Sequence, residues 1–137
     1  MKSELETELK DAKSIKSFLE ENKNIFEEPD ITALLNDLLI RSGITKAALS
    51  EKVDLSYVYV CQIFGGIGKP SRDRLLALCL AIRATVEETQ VLLRRNMNAE
   101  LYAGRRRDAV IMYGLLHQLD LDDVNDALYD AGEETLF

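Results

Sequence analysis

Residues 45–70, TKAALSEKVDLSYVYVCQIFGGIGKP, decide how this chain folds. Ala48, Leu49 and Val53 form a narrow apolar stripe at helical spacing, Leu55 follows at a break, and Val60 and Ile63 give a second short stripe. Two brief helices joined by a tight turn follow from that pattern, a helix-turn-helix arrangement. Asp54 falls where the chain turns sharply, and Asp tolerates the left-handed backbone better than most residues. Thr45 and Ser56 each precede an apolar-periodic run and are expected to cap the two helices by accepting from first-turn N–H groups. Gly65, Gly66, Gly68 and Pro70 end the second helix and forbid its continuation.

Upstream, Asp30 is read as the N-cap of a further helix carrying Leu34, Leu35, Leu38 and Leu39, closed by Gly43. The segment before it, from a Ser3-x-x-Glu6 capping box, reads as one acidic helix with Leu5, Leu9, Ala12, Leu19 and Phe26 on a stripe, broken over Asn22–Pro29. Downstream the chain repeats with an offset of 35. Arg72-Asp73 matches Arg107-Asp108, Leu80 matches Leu115, Val86-Glu87-Glu88 matches Leu121-Asp122-Asp123, and Leu93 matches Leu128. Each copy reads as a helical hairpin whose second helix opens on an acidic turn, with Thr85-x-x-Glu88 in one and Asp120-x-x-Asp123 in the other. A lone hairpin cannot bury its apolar face, so the copies are expected to stack on each other and on the core. The expected architecture is all-α: residues 1–29 an N-terminal acidic helix, 30–83 the helix-turn-helix domain, and 84–137 a C-terminal helical extension packed on it.

Length and composition set outer limits. A chain of 137 residues with 47% apolar content supports a real core. No apolar run approaches ~20 residues and the N-terminus is charged, which predicts a cytoplasmic protein with no membrane partner. Cys61 and Cys79 lack CxxC spacing and read as reduced packing thiols, and with His117 the only histidine, no metal or cofactor is expected. Residues 1–30 carry −4, residues 31–83 carry +3 and residues 84–137 carry −6. The middle segment alone has the sign that suits phosphates. Enzymatic constellations are missing from the pattern: no Ser-His-Asp set is present, and Gly65-Gly66-x-Gly68 is a helix stop rather than a phosphate cradle.

Residues 31–83 resemble the phage-repressor and Cro-like (Xre-type) class of helix-turn-helix transcriptional regulators. The resemblance rests on the polar entry at Thr45 and Lys46, the Ala48-Leu49 pair, the Leu55-Ser56 turn exit, Val60 and Ile63 inward, then Gly66 and the Pro70-Ser71 step. Asp54 replaces the usual turn glycine and Phe64 stands where glutamate is common. The resemblance implies sequence-specific binding of double-stranded DNA, with the second helix in the major groove. Tyr57, Val58 and Gln62 would then face bases, Gln62 pairing with adenine and Val58 lying against a thymine methyl. Lys46, Ser56, Lys69 and Arg72 would hold phosphates, and a homodimer is expected because such domains pair two modest half-site contacts. Arg72 has a second reading, since its match Arg107 lies outside the DNA-binding-like segment and the shared Arg-Asp pair would serve hairpin packing. For Arg105-Arg106-Arg107, pairing with nearby acids is the expected role. The alternative function is a protein-interaction module that keeps the fold and presents Tyr57-Val58-Tyr59-Val60 to a protein partner, with Tyr59 read that way by preference.

Overall fold

A computed structural model describes residues 2–23 and 31–136. Among them the chain is all-helical: α1 (Lys2–Asp11), α2 (Ile15–Glu21), α3 (Thr32–Ser42), α4 (Lys46–Val53), α5 (Tyr57–Phe64), α6 (Arg72–Ala81), α7 (Val86–Arg95), α8 (Arg106–Leu116) and α9 (Leu121–Asp130). No helix is long and apolar enough to cross a membrane among these residues.

The N-terminal segment departs from the single helix expected. It is two helices packed on each other, broken at residues 12–14, where the Ser14 hydroxyl accepts from Ser17 N (3.1 Å) and starts α2. A side-chain oxygen able to satisfy an orphan N–H here outweighs a continuous stripe. Phe18 is the buried residue, while Leu9 and Leu19 are half exposed. Because α1 already runs from Lys2, Ser3 lies inside it and not at its cap. Phe26, the Asp30 cap and most of the Asn22–Pro29 break lie outside the described residues.

From Ile31 to Leu136 a single apolar cluster holds the remaining seven helices together. Four of the connections use one three-residue turn: Gly43-Ile44-Thr45, Asp54-Leu55-Ser56, Arg83-Ala84-Thr85 and Gln118-Leu119-Asp120. The first residue of each is left-handed, at φ 72°, 52°, 58° and 53°. The second is apolar and packs on or within the core. The third is extended and begins the next helix. In the last three turns the apolar residue's N–H closes back on the preceding helix: Leu55 to Ser50 O (3.1 Å), Ala84 to Cys79 O (3.0 Å) and Leu119 to Gly114 O (2.9 Å). Thr45, Ser56 and Thr85 accept from Ala48, Tyr59 and Glu88 N–H at 3.1 Å each. Thr85 and Glu88 form the full reciprocal box. Asp120 does not cap: its carboxylate is 3.7 Å from Arg83 instead, and a carboxylate drawn to a guanidinium is lost to the helix N-terminus.

Helix α6 is the axis of the assembly. From Leu75 to Ile82 it carries no charged side chain and is buried all round, as an apolar helix must be. It packs on α4, α7, α8 and α9. The hydrogen bonds of α6–α7 recur 35 residues later in α8–α9. Arg72 Nε donates to Ala99 O (3.0 Å) and Arg107 Nε to Glu134 O (2.9 Å). Leu101 N donates to Gln90 Oε1 and Leu136 N to Asn125 Oδ1, both at 2.7 Å.

The two ends of the core are tied by Arg41 at the close of α3 and Glu88 in the first turn of α7, a two-pronged pair at 2.7 and 2.8 Å. That hydrogen bond from Arg41, against the penalty of burial, holds the Glu88 carboxyl down to about 2 from an ordinary 4.5. A carboxylate depressed in the folded state adds stability above its unfolded pKa, and that contribution disappears as pH falls through the folded value. Stability should therefore fall between pH 4.5 and about 2, by about 1 kcal/mol given that Arg41 is half exposed. Urea midpoints across that window, for wild type and Glu88→Gln, check it: this part of the acid dependence should vanish in the variant.

Candidate nucleic-acid interface

The exposed face of α5 is fixed from beneath. Val60, Ile63 and Phe64 are buried, so Phe64 serves the core at a position where a polar residue would not. Asn36 on α3 donates from Nδ2 to Phe64 O (2.8 Å) and Thr32 O (2.9 Å), pinning the end of α5 to α3. Beyond it Ile67 N closes on Gln62 O (2.8 Å) and Gly66 takes φ 80°, so the chain leaves the helix at once. Tyr57 and Val58 point outward, 54% and 65% exposed, and Gln62 is exposed beside them. The half-buried Cys61 side chain one turn on raises the Tyr57 phenol's pKa. Ser56 at the helix start accepts from Tyr59 N (3.1 Å), leaving its hydroxyl proton for an outside acceptor.

The cations around this helix divide into two groups. Arg41 is paired with Glu88, Arg83 with Asp120, and Arg72 with Asp108 (3.1 Å). The Arg72 guanidinium also donates to Ala99 O and Glu100 O, so its donors are turned into the fold and its hairpin-packing reading is the one the geometry matches. Lys46 at the start of α4, Lys52 at its end and Lys69 in the loop after α5 have no acidic partner among the described residues. Lys69 follows Gly68, whose φ of 79° suits glycine, and is exposed.

Arg74 completes the second group, and no sequence motif marked it. Exposed on the first turn of α6, it stacks over the Tyr59 ring at 4.9 Å. A signal for it was present: its match 35 residues on is Ala109, so it stands outside the Arg-Asp pattern that repeats. Tyr59 is half-buried beneath that guanidinium, not a free ring.

No family model, curated protein or solved structure matches this chain. The residues themselves bear on other chemistry. Among the described residues no group of His, Cys, Asp and Glu is placed to hold a metal. Burial pushes the Cys79 thiol up to about 12, which leaves it inert as a nucleophile. An open cleft of ≈ 540 Å³ is lined by Glu51, Lys52, Asp54, Ala81, Asp120, Leu121 and Asp122, a predominantly acidic wall unsuited to phosphate. Arg106 meets Glu133 (3.4 Å), and Arg107 meets Asp73 (2.9 Å), so two of the three consecutive arginines also serve the fold.

Proposed function

We propose that α3–α5 form a repressor-like helix-turn-helix unit that binds double-stranded DNA through α5 as a transcriptional regulator, with α6–α9 as two copies of one helical hairpin that buttress it. The observation that carries this reading is the division of cations. The arginines of this segment other than Arg74 are held by acids of the fold, whereas Lys46, Lys69 and Arg74, flanking an exposed and uncharged α5, are not. Gln62 is suited to a bidentate pair with adenine, Val58 to a thymine methyl, and Tyr57 and Ser56 to the sugar-phosphate chain. Arg74 takes the phosphate role that the resemblance gives to Arg72. Without a cation on α5 itself, affinity per half-site is modest, readout leans to A·T, and two copies are needed for a stable complex.

The experiment is anisotropy titration of labelled duplexes selected from genomic fragments. Gln62→Ala should lose preference at one base position per half-site at about 1–3 kcal/mol, while Lys46→Ala should weaken all sequences alike and reduce the salt slope by about one. Unchanged preference in Gln62→Ala, with loss in Tyr59→Ala, would place the reading face elsewhere.

A second reading has its own observation. Tyr57 and Val58, together with Ile67 exposed in the following loop, make an apolar surface that suits a protein partner as well as a groove. Indifference to duplex DNA at low salt favours that reading.

A further inference from the structure

Each C-terminal hairpin clasps the segment that follows it, and through the same three bonds. Arg72 donates from Nε to Ala99 O (3.0 Å) and from Nη2 to Glu100 O (3.4 Å), and Gln90 Oε1 accepts from Leu101 N (2.7 Å). At the offset of 35, Arg107 donates from Nε to Glu134 O (2.9 Å) and from Nη2 to Thr135 O (3.1 Å), and Asn125 Oδ1 accepts from Leu136 N (2.7 Å). Both leucines are buried, and the next residue in the sequence is aromatic, Tyr102 in one copy and Phe137 in the other. Three bonds to main-chain groups and one apolar pocket make a clasp for a peptide, since backbone bonds hold any chain and the pocket chooses the side chain.

The second clasp holds its segment less firmly. Gln90 also donates from Nε2 to Leu101 O (2.9 Å), whereas Asn125, one methylene shorter, makes no such donation among the described residues. The first segment runs on into α8, and its entry is fixed by Asn96, which donates to Pro70 O (2.9 Å) and to Asn98 Oδ1 (2.6 Å). The second is entered through Gly132, left-handed at φ 75° with open space where a Cβ would stand. A segment with fewer anchors and a glycine hinge opens at lower cost than the core does. The second clasp also has a cation that the first lacks. Arg106, 76% exposed, meets Glu133 at 3.4 Å, and its match in the first copy is Ser71.

We propose that the clasp of Arg106, Arg107 and Asn125 is a binding site for an acidic, non-helical segment of a partner protein. Its ligand carries a leucine followed by an aromatic residue, with a glutamate three positions before the leucine, and Glu133–Leu136 is the internal occupant that the partner displaces. The leucine and aromatic are common to both resident segments, and the glutamate answers the cation that only the second clasp has. A second copy of this chain is the poorer ligand, because exchanging identical segments gains no new contact to offset the lost freedom of two molecules. The site is separate from α5, so DNA binding and peptide binding can each fail without the other.

Fluorescence anisotropy with a labelled peptide AGEETLF, the sequence of residues 131–137, tests it on the full chain. Leu136→Ala, which weakens the internal occupant, should bind the peptide at least about tenfold more tightly than wild type, where the tethered segment competes at a high effective concentration. In that background Arg106→Glu should weaken binding about fivefold, and a peptide with lysine in place of its first glutamate should regain it. The opening is read in the wild type itself. Leu136 N–H should exchange with solvent about a hundredfold faster than Leu101 N–H, although each bond is 2.7 Å. Equal protection of the two, or no peptide binding by a Leu136→Ala chain of wild-type helicity, overturns the proposal. A wild type that is dimeric at ~100 µM and dissociated by the peptide gives the site to a second copy and overturns the choice of partner.

Discussion

Replacing Asp108 with alanine should lower the free energy of unfolding by about 3–5 kcal/mol, the largest loss expected from any single change of a charged residue in the two hairpins. Its carboxylate is 5% exposed and accepts from both arms of the Arg72 guanidinium, at 3.1 and 3.3 Å, and from Tyr102 N at 3.0 Å. Removing it strands a largely buried guanidinium and a backbone N–H together. The counterpart Asp73 is 40% exposed and accepts only from Arg107, and Asp73→Ala should cost only about 1 kcal/mol, since a carboxylate that water already reaches contributes a weak, screened pair. Arg72→Met in the Asp108→Ala background should recover part of the loss, because a buried ion pair replaced whole by apolar groups is no longer a penalty. Urea midpoints at unchanged slope read all three. Equal losses at Asp108 and Asp73 would mean that burial does not set the energetics of the hairpin contact.

Leu93→Ala and Leu128→Ala should each cost about 2–5 kcal/mol, with the two values alike. Both side chains are fully buried, at matching positions in the second helix of each hairpin, and a cavity at either site is walled by the same cluster. Leu116→Ala is the control: at 67% exposure it should change the urea midpoint of the single chain little. A cost at Leu128 far below that at Leu93 would make the second hairpin an appendage rather than part of one cooperative core.

What the sequence made legible follows from which residues carry local preferences strong enough to survive tertiary packing. Gly43 and Asp54 marked left-handed turns because each tolerates them, and Thr45, Ser56 and Thr85 marked helix starts because each has an oxygen at the right reach. Arg83 and Gln118 adopt the same left-handed conformation with no side-chain preference for it, so only the backbone closure around them reveals two further copies of the turn. The break before Ser14 contains neither glycine nor proline, and Phe18 is no more apolar than the leucines beside it, so periodicity chose the wrong stripe. At the candidate interface, exposure of Tyr57, Val58 and Gln62 followed from the inward spacing of Val60 and Ile63. The fate of the cations did not, because the partners of Arg41 and Arg72 lie 47 and 36 residues away.

The most direct test of DNA binding through α5 is the salt dependence of duplex binding by the full-length chain, compared with a triple variant, Lys46→Ala, Lys69→Ala and Arg74→Ala. None of the three has an acidic partner among the described residues, so helicity and urea midpoint should hold. Wild-type affinity should fall as salt rises, and the slope of log affinity against log salt should shrink by about three per chain in the variant. Binding with no salt dependence, or a triple variant whose slope matches the wild type, would contradict it.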